Sequence, residues 1–206
     1  MNSTEHNVVE LPGDKMVDAA GLLTRVFFDD PLMLYIFPDE SDRREAGARF
    51  FLPNMQHAAQ KGKLYTTASF PGIAVWRFFG LEDESAKKAM DDPRIKLPST
   101  MGPAAFQRLM TFLAIATEFH KKLVPEKHCY LLFLGLEPEW QVKGVGTALI
   151  TPILRMADDN QLPCYLETNK ARNLVFYGKM GFEVREKGLV PDGPEVWGLV
   201  RAPRDK

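Results

Sequence analysis

Residues 129–149 of this 206-residue chain read CYLLFLGLEPEWQVKGVGTAL. The first part, Cys129 to Leu136, is almost continuously apolar, which is the pattern of a strand buried on both faces. A loop is predicted from Pro138 to Gly146, and the apolar periodicity of Thr147 to Asn160 predicts a helix. The stretch therefore encodes a buried strand, a glycine-containing turn and a helix in direct succession.

The turn holds two glycines, Gly144 and Gly146, which let the backbone approach a ligand closely. The helix start after them offers unpaired N–H groups and the positive end of a dipole, a site for phosphate or pyrophosphate. A dinucleotide fingerprint needs glycine where Leu149 stands, and a P-loop needs lysine where Thr147 follows the last glycine. The spacing that remains is Gln141-x-x-Gly-x-Gly, and an ordinary glycine turn is the alternative interpretation.

Gly135 interrupts the apolar strand. A glycine inside a strand weakens its packing and indicates a bulge, which would part this strand from its neighbour and free backbone groups. A ligand with spaced amides can pair with such an edge as if it were a strand. Pantetheine carries such amides, and coenzyme A joins pantetheine to a pyrophosphate. One ligand therefore matches both the free strand and the turn.

The same stretch, from Tyr130 to Leu149, resembles the acetyl-CoA-binding motif of the GNAT superfamily of N-acetyltransferases. The later segments LETN (166–169) and NLVFYGKMGF (173–182) resemble the family's next strand and helix. The resemblance extends over about Cys129 to Val184, whereas the N-terminal half fits the family loosely. In this family that half usually shapes the acceptor site.

The resemblance implies one α/β domain over residues 1–206, with an acceptor-side half of about 1–125 and an acetyl-CoA-binding half of about 126–203. The expected sheet is mixed, mainly antiparallel and twisted, with helices on both faces. A V-shaped splay between the central strands led by Leu131 and Tyr165 would hold the cosubstrate. Periodicity and turn signals predict the other elements: strands over 7–11, 63–68, 72–79, 164–168, 182–185 and 195–201, helices over 14–28, 104–123 and 171–180, a helix from a Ser41 cap toward Lys61, and a surface excursion over 82–103.

The resemblance also implies roles for single residues. Backbone groups of Leu134 and Leu136 would hold pantetheine, and the backbone from Gln141 to Gly146 would wrap the pyrophosphate. Asn173 would contact the cosubstrate and Tyr177 would lie near its sulfur, although a helix-start residue and a core aromatic are the alternative interpretations. The predicted cofactor-binding set is Leu134, Leu136, Gln141, Val142, Lys143, Gly144, Val145, Gly146, Thr147, Asn173 and Tyr177.

Two residues are predicted to be catalytic: Tyr177 beside the leaving thiol, and Glu167 as the general base or as the carboxylate that orders a base water. Glu167 is charged but follows the apolar run Cys164 to Leu166, and strand alternation places it on the same face as Tyr165. A partly buried carboxylate there can take the proton from an attacking amine. A surface ion pair is the alternative role, and Glu137 and Asp30 are the reserve bases.

The predicted function is transfer of an acetyl group from acetyl-CoA to an amine by direct attack. A non-catalytic acyl-CoA-binding module is the alternative. The acceptor is expected to be a small-molecule amine, with a protein amine as the second possibility. Asp29, Asp30 and Tyr35 either attract that amine or form an ordinary turn. Trp76 and Arg77 could face an acceptor pocket from their strand, but the favoured interpretation is a buried tryptophan beside a surface arginine.

Composition excludes several classes of partner. The 26 basic and 27 acidic side chains leave a net charge of -1, which argues against nucleic-acid binding. No signal segment or membrane-length apolar run occurs, so a cytoplasmic protein without membrane contact is expected. Cys129 and Cys164 are expected to be buried apolar residues, and the four histidines form no metal-ligand spacing with them. A homodimer stays open.

Overall fold

The computed structural model describes residues 7–81 and 97–204, so most of the predicted excursion over 82–103 lies outside the described residues. Seven strands form one sheet in the order β1-β2-β3-β4-β5-β7-β6. Their bounds are β1 Val8–Glu10, β2 Gly62–Thr67, β3 Gly72–Phe79, β4 His128–Leu136, β5 Cys164–Thr168, β6 Glu183–Leu189 and β7 Glu195–Arg201.

Eight α-helices connect and cover the strands of the described chain. They are α1 Met16–Val26, α2 Pro31–Ile36, α3 Glu40–Arg44, α4 Leu52–Gln60, α5 Leu97–Met101, α6 Pro103–Leu123, α7 Val145–Asp159 and α8 Ala171–Lys179, with a π-helical stretch Gly47–Phe51 before α4. The mainly antiparallel sheet with helices on both faces confirms the predicted fold class.

β4 and β5 run parallel, whereas every other neighbouring pair in the sheet is antiparallel. Their ladder consists of two residue pairs, Cys129 with Cys164 and Tyr130 with Tyr165. Beyond these pairs β4 continues to Leu136 without β5 beside it. The sheet is therefore split in its middle, and the two strands form the sides of an opening.

The bulge in β4 lies at Leu132 and not at Gly135, so that prediction was wrong. Phe133 pairs with Val75 and Leu131 with Trp76, which leaves Leu132 as the extra residue. Gly135 has a different task, because a Cβ there would lie 2.7 Å from Val26 Cγ2 on α1. The glycine allows close packing of a helix against the strand.

Each face of the sheet has its own apolar core. The helices α1, α4 and α6 cover one face together with Ile73 and Val75 of β3. The helices α7 and α8 cover the other face and share an apolar core with Ala74, Trp76 and Leu131. Both cysteines are free and fully buried, in agreement with the prediction that they act as small apolar residues.

An ion pair fastens β7 to the end of α7. Arg201, which is 3% exposed, donates from Nη1 and Nη2 to the two carboxylate oxygens of Asp158 at 2.7 and 2.8 Å. Arg201 Nε also donates to the Met180 carbonyl oxygen at 3.1 Å, and Asp158 accepts from the Arg204 N–H at 2.8 Å. Removal of one partner of a buried ion pair leaves the other charge unpaired and destabilises the folded state by about 3–5 kcal/mol.

Two helix starts differ from the predictions. Asp39, not Ser41, caps α3, because its carboxylate accepts from the Ser41 N–H at 3.0 Å. Helix α7 begins at Val145, so Gly146 belongs to its first turn and not to the preceding loop. The left-handed conformation of Gly144 explains the shift, because this residue already ends the loop and turns the chain into the helix.

Candidate active site

A cavity of about 540 Å³ lies against the opening between β4 and β5. Its walls come from both halves of the chain, with α6 along one side and β4 along another. The volume falls in the range of small-ligand pockets, about 300–1,000 Å³. Most lining side chains are apolar or aromatic, and the ionisable ones among the described lining residues are Asp30, Arg77, His120, Tyr130, Glu167 and Tyr177.

Glu167 lies on β5 where the strand lines the cavity. Its carboxylate accepts a 2.6 Å hydrogen bond from the Tyr130 hydroxyl on β4, the strand at the other side of the opening. Burial raises the pKa of Glu167 to about 7, and the hydroxyls of Tyr130 and Tyr165 partly oppose that rise. The Tyr165 hydroxyl faces the carboxylate, although it falls short of full hydrogen-bond geometry. The surface ion pair considered for Glu167 is absent from the described contacts.

Beside this carboxylate, two histidines hold each other in the neutral form. His128 donates from Nδ1 to the Pro125 carbonyl oxygen at 2.7 Å, so its Nε2 accepts from His120 Nε2–H at 2.6 Å. Burial, and secondly the unfavourable interaction that a protonated His120 would have with His128 and with the Arg77 guanidinium, lowers the pKa of His120 to about 4. The His120 ring stacks on Tyr165 at 5.0 Å, which places a neutral imidazole at the polar end of the cavity.

Arg77 is half-buried and lines the cavity, so the prediction of a surface arginine was wrong. Its strand position pairs with Tyr130, and the guanidinium carbon lies 4.8 Å from the centroid of the Phe79 ring. Trp76 is fully buried on the opposite face, as predicted, because successive strand residues alternate between the two faces. The register of β3 against β4 therefore brings Arg77 to the site.

Tyr177 and Asn173 line the same cavity from α8. The Tyr177 ring packs between Phe176 and Phe182, at 5.2 and 5.9 Å, and is 7% exposed. Burial, and secondly the negative charge of Asp30, raises the pKa of its hydroxyl, so this group stays protonated at neutral pH. Asn173 donates from Nδ2 to Thr168 Oγ1 at 3.1 Å.

The two reserve bases are engaged elsewhere. Asp30 caps α2 by accepting from the Leu32 N–H at 3.0 Å, and it forms an ion pair with Lys170 at 3.2 Å. Glu137 accepts from Nε and Nη2 of Arg25 at 3.0 and 2.7 Å and is not among the residues that line the cavity. Asp29 and Tyr35, considered as amine-attracting groups, are not among those lining residues either.

The free edge of β4 presents the backbone groups of Leu134 and Leu136. The Glu137 N–H donates to the Pro71 carbonyl oxygen at 2.9 Å, which fixes the alternation of the ladder between β3 and β4. The N–H and C=O groups of Leu134 and Leu136 therefore point away from β3, toward the opening. The Leu136 carbonyl oxygen accepts from Gln141 Nε2 at 3.3 Å.

The glycine turn lies at the end of this edge. Gly144 precedes α7 in the left-handed region, with φ 83°, and has no side-chain cap. The first intrahelical donor after it is the Ala148 N–H, so the N–H groups of Val145, Gly146 and Thr147 face outward at the helix N-terminus. Val142 is also left-handed, with φ 60°, and its side chain is fully exposed. A β-branched residue in this region is strained, which is characteristic of functional loops.

The remaining loop residues are arranged around the same turn. Lys143 is exposed, and its Nζ lies 5.8 Å from the centroid of the Trp140 ring. Gly146 is buried, and a Cβ there would lie 3.1 Å from Leu136 Cδ1. The predicted cofactor-binding residues from Leu134 to Thr147 thus follow one path, from the β4 edge to the start of α7, whereas Asn173 and Tyr177 lie on α8. This path fits a ligand with spaced amides followed by a pyrophosphate.

Two kinds of feature are absent from the described residues. Within 7–81 and 97–204, no cluster of three or more His, Cys, Asp or Glu side chains is arranged to hold a metal ion. No helix in that part of the chain combines the length and apolarity that crossing a membrane requires.

Sequence reasoning missed Tyr130 and His120 as site residues. Tyr130 was visible as the polar member of the apolar run 129–136, but its partner depends on the register between β4 and β5. His120 lies one turn from the end of α6, and nothing in the sequence indicates that this turn reaches Tyr165. The roles of Tyr130 and His120 can be recognised only once the positions of β4, β5 and α6 relative to one another are known.

Comparisons with known proteins agree with this geometry. Residues 104–182 match the sequence profile of the acetyltransferase (GNAT) family. An uncharacterized N-acetyltransferase of Schizosaccharomyces pombe is 25% identical over 170 residues, which cover 80% of this chain and 69% of the yeast protein.

Two solved structures share the fold. One is a Corynebacterium glutamicum protein described as histone acetyltransferase HPA2 and related acetyltransferase, with TM-score 0.69, 20% identity and 97% of each chain covered. The other is arylalkylamine N-acetyltransferase 2 of Aedes aegypti, with TM-score 0.63, 14% identity, and 96% of this chain and 99% of that chain covered. The profile match and the yeast relative support an acyltransferase that is similar in sequence to the GNAT acetyltransferases, a family that uses acetyl-CoA, and the two solved structures show the same fold.

Proposed function

We propose that this enzyme acetylates a small-molecule amine by direct attack of the amine on acetyl-CoA. One observation carries the proposal. The Glu167 carboxylate lies at the opening between β4 and β5, where the cavity begins and where the free edge of β4 leads to the N-terminus of α7. A base, an anion-binding turn and a small-ligand cavity therefore meet at one point.

Glu167 is the proposed general base. Alkyl amines are mostly protonated near neutral pH, and the attacking nitrogen must lose a proton. The raised pKa of Glu167, about 7, keeps a large deprotonated fraction while giving the carboxylate enough basicity to accept that proton. The hydrogen bond from Tyr130 fixes the carboxylate at the opening.

Two further groups serve the departure of the thiol. When bound, acetyl-CoA supplies the activated acetyl group and the leaving thiolate. The backbone N–H of Leu134 points into the opening and is the proposed donor to the negative charge that develops on the carbonyl oxygen. The Tyr177 hydroxyl, which burial keeps protonated, is the proposed proton donor to the sulfur.

Direct attack is supported by what lines the cavity. Cys129 and Cys164 both have no exposed surface, and neither is among the described lining residues. A cysteine relay would need a thiolate that reaches the ligand. Glu167 therefore activates the acceptor nitrogen itself, and the new amide bond forms as the carbon–sulfur bond breaks.

The shape of the site favours a small molecule over a protein amine. The cavity extends inward between α6, the π-helical stretch and β4, whereas a protein surface would need an open groove. The structural neighbours do not distinguish between the two kinds of acceptor, because one is described as a histone acetyltransferase and another as an arylalkylamine N-acetyltransferase. Both kinds of acceptor therefore occur on this fold.

Chromatographic measurement of coenzyme A and acetylated product tests the proposal. Acetyl-CoA would be offered with a panel of small amines and a lysine-containing peptide, and calorimetry would measure acetyl-CoA affinity separately. We expect stoichiometric product with a small amine. Tight acetyl-CoA binding without product from any member of the panel would contradict the proposed reaction, and a preference for the peptide would contradict the proposed acceptor.

A further inference from the structure

The cavity is polar at one end and apolar at the other. The polar end is centred on Tyr130. Its hydroxyl donates to Glu167, its ring lies 5.3 Å from the His120 ring, and its strand position pairs with Arg77. From there the cavity follows α6 back to Phe106, fourteen residues before His120, which corresponds to about 21 Å of helix. The α6 residues that line the wall between them include Leu109, Phe112, Leu113 and Ala116.

The apolar part of the cavity wall includes a cluster of four phenylalanines. Phe51 lies at the centre, with ring centroids 5.6 Å from Phe27, 5.2 Å from Phe50 and 5.3 Å from Phe133. All four line the cavity, and Phe27 and Phe133 keep part of their surface uncovered. Exposed ring edges and faces at these spacings suit another aromatic ring or a compact apolar group.

The charges around the cavity leave one carboxylate for the ligand. Among the described lining residues, the acidic side chains are Asp30 and Glu167. Asp30 already caps α2 and pairs with Lys170, whereas Glu167 has a phenol as its hydrogen-bond partner and no cation in the described contacts. Arg77 adds positive charge at the same end. A ligand with one ammonium finds its partner here, but a second ammonium would be desolvated beside apolar side chains.

We infer that the acceptor is a primary amine with a single positive charge and an apolar body about the size of an aromatic ring. This inference rests on the proposed function and specifies its substrate class. The ammonium group lies toward Glu167 and the body extends along α6 to the phenylalanine cluster. Polyamines, amino acids and lysine side chains in peptides are disfavoured, because each brings a second charge or a polar backbone into the apolar end.

Two matched pairs of amines test this directly. 2-Phenylethylamine and ethylamine differ in the apolar body, and n-hexylamine and 1,6-diaminohexane differ in the second charge at equal length. We expect kcat/KM to favour 2-phenylethylamine by about 100-fold and n-hexylamine by at least tenfold over their partners. A preference for the diamine would overturn the inference while leaving the proposed function standing, whereas a preference for a lysine peptide would overturn both.

A charge-insertion variant sharpens the test. Leu113 lines the cavity from α6 and is 37% exposed, so a larger polar residue there does not break the core. Leu113→Glu places a second carboxylate about 10 Å of helix from His120, and Leu113→Gln is the uncharged control of the same size. We expect Leu113→Glu to raise the 1,6-diaminohexane to n-hexylamine ratio at least tenfold relative to Leu113→Gln. Equal ratios in the two variants would overturn the assignment of this wall to the acceptor.

Binding measurements separate failure of this inference from failure of the proposed function. Calorimetric titration of 2-phenylethylamine and ethylamine into the protein with coenzyme A present needs no turnover. Tighter binding of 2-phenylethylamine supports the inference even if no acetyl transfer follows, and equal affinities overturn it. If octanoyl-CoA with ethylamine outperforms acetyl-CoA with ethylamine, the apolar end holds the acyl chain, and the inference is also overturned.

Discussion

The two sides of the central opening bind by different means. On the β4 and α7 side, the available contacts are backbone N–H and C=O groups at Leu134, Leu136 and the start of the helix. On the α6 side, the contacts are side chains that come from many separate segments of the chain. Backbone recognition demands glycine and a fixed spacing, so it leaves a readable trace in the sequence. A side-chain cavity has no such spacing, and its ligand is free to differ between proteins that share the fold.

This contrast predicts that variants on the two sides affect different constants. Changes in side chains of the cavity should alter turnover and acceptor choice at unchanged acetyl-CoA affinity. Changes in the glycine turn should alter acetyl-CoA affinity and leave turnover and acceptor choice unchanged. The following tests run from the largest expected effect to the smallest.

The largest effect is expected for Glu167→Gln. Loss of a general base lowers kcat/KM by about 10²- to 10⁴-fold. In the wild type the rate should rise with pH up to about 7, the pKa of Glu167, and this limb should be missing in the variant. His120, with its pKa lowered to about 4, does not titrate in this window, Tyr130 and Tyr165 stay protonated, and Arg77 stays charged.

Glu137→Gln is the matched control for that variant. Glu137 pairs with Arg25 away from the described cavity wall, so its loss should leave the pH profile unchanged. An unaltered profile in Glu167→Gln would remove Glu167 from the mechanism. An altered profile in Glu137→Gln would move the base to the end of β4.

The second effect concerns the turn. Gly144→Asp and Gly144→Asn both tolerate the left-handed conformation and differ only in charge. A carboxylate at the start of α7 should repel the pyrophosphate, so we expect acetyl-CoA affinity by calorimetry to fall roughly 10- to 100-fold in Gly144→Asp relative to Gly144→Asn. Gly146 is unsuitable for this test, because its Cβ would press on Leu136. Equal affinities would place the pyrophosphate elsewhere.

A smaller effect is expected for Tyr177→Phe. The substitution keeps the ring between Phe176 and Phe182 and removes the hydroxyl. We expect kcat to fall about tenfold with acetyl-CoA affinity nearly unchanged, because the hydroxyl acts on the leaving sulfur. If stability by thermal unfolding and turnover both match the wild type, Tyr177 is only a core residue.

The smallest effect is one of stability and again uses Glu167→Gln. Because burial raises the pKa of Glu167 to about 7, the folded state holds this proton more tightly than the unfolded state, so the free energy of unfolding falls as pH rises from about 4.5 to 7. The gap between the pKa values sets an upper limit of about 3 kcal/mol. The carboxylate faces an open cavity, so we expect the variant to gain about 1 kcal/mol at pH 8 and nothing at pH 4.

Denaturant unfolding at both pH values would measure the difference between variant and wild type. A constant difference across this range would mean that the carboxylate is not held in a desolvated site. A gain at pH 8 that is absent at pH 4 would show that the base is maintained at the expense of stability.

The sequence allowed the strand and turn from Cys129 to Gly146 to be predicted because local rules govern them. An apolar run indicates a buried strand, and two closely spaced glycines indicate a turn whose backbone can approach a ligand closely. The predicted bulge failed because Gly135 serves the packing of α1, a contact 109 residues away from Val26 in the chain. Glu167 could be placed on a cavity-facing strand by alternation, but its partner Tyr130 required knowledge of which strands are neighbours.

The acceptor side was not predictable for the same reason. Arg77 was expected at the surface, because a charged residue next to a buried tryptophan in a strand usually faces solvent. Its true surroundings depend on the position of α6, which covers that face. Long-range packing decides whether a charged strand residue meets water or a cavity.

The two-pair ladder between β4 and β5 has a consequence for folding cooperativity. The four strands β1–β4 and the three strands β5–β7 are joined in the sheet through only Cys129–Cys164 and Tyr130–Tyr165 among the described residues. The Arg201–Asp158 pair crosses the same boundary, since α7 packs on β2–β4 and Arg201 belongs to β7. Hydrogen exchange should therefore reveal β5–β7 as a separate opening unit, released ahead of global unfolding when Arg201 is replaced by methionine. A ligand that binds along the free edge of β4 and also contacts β5 would make the two units unfold together.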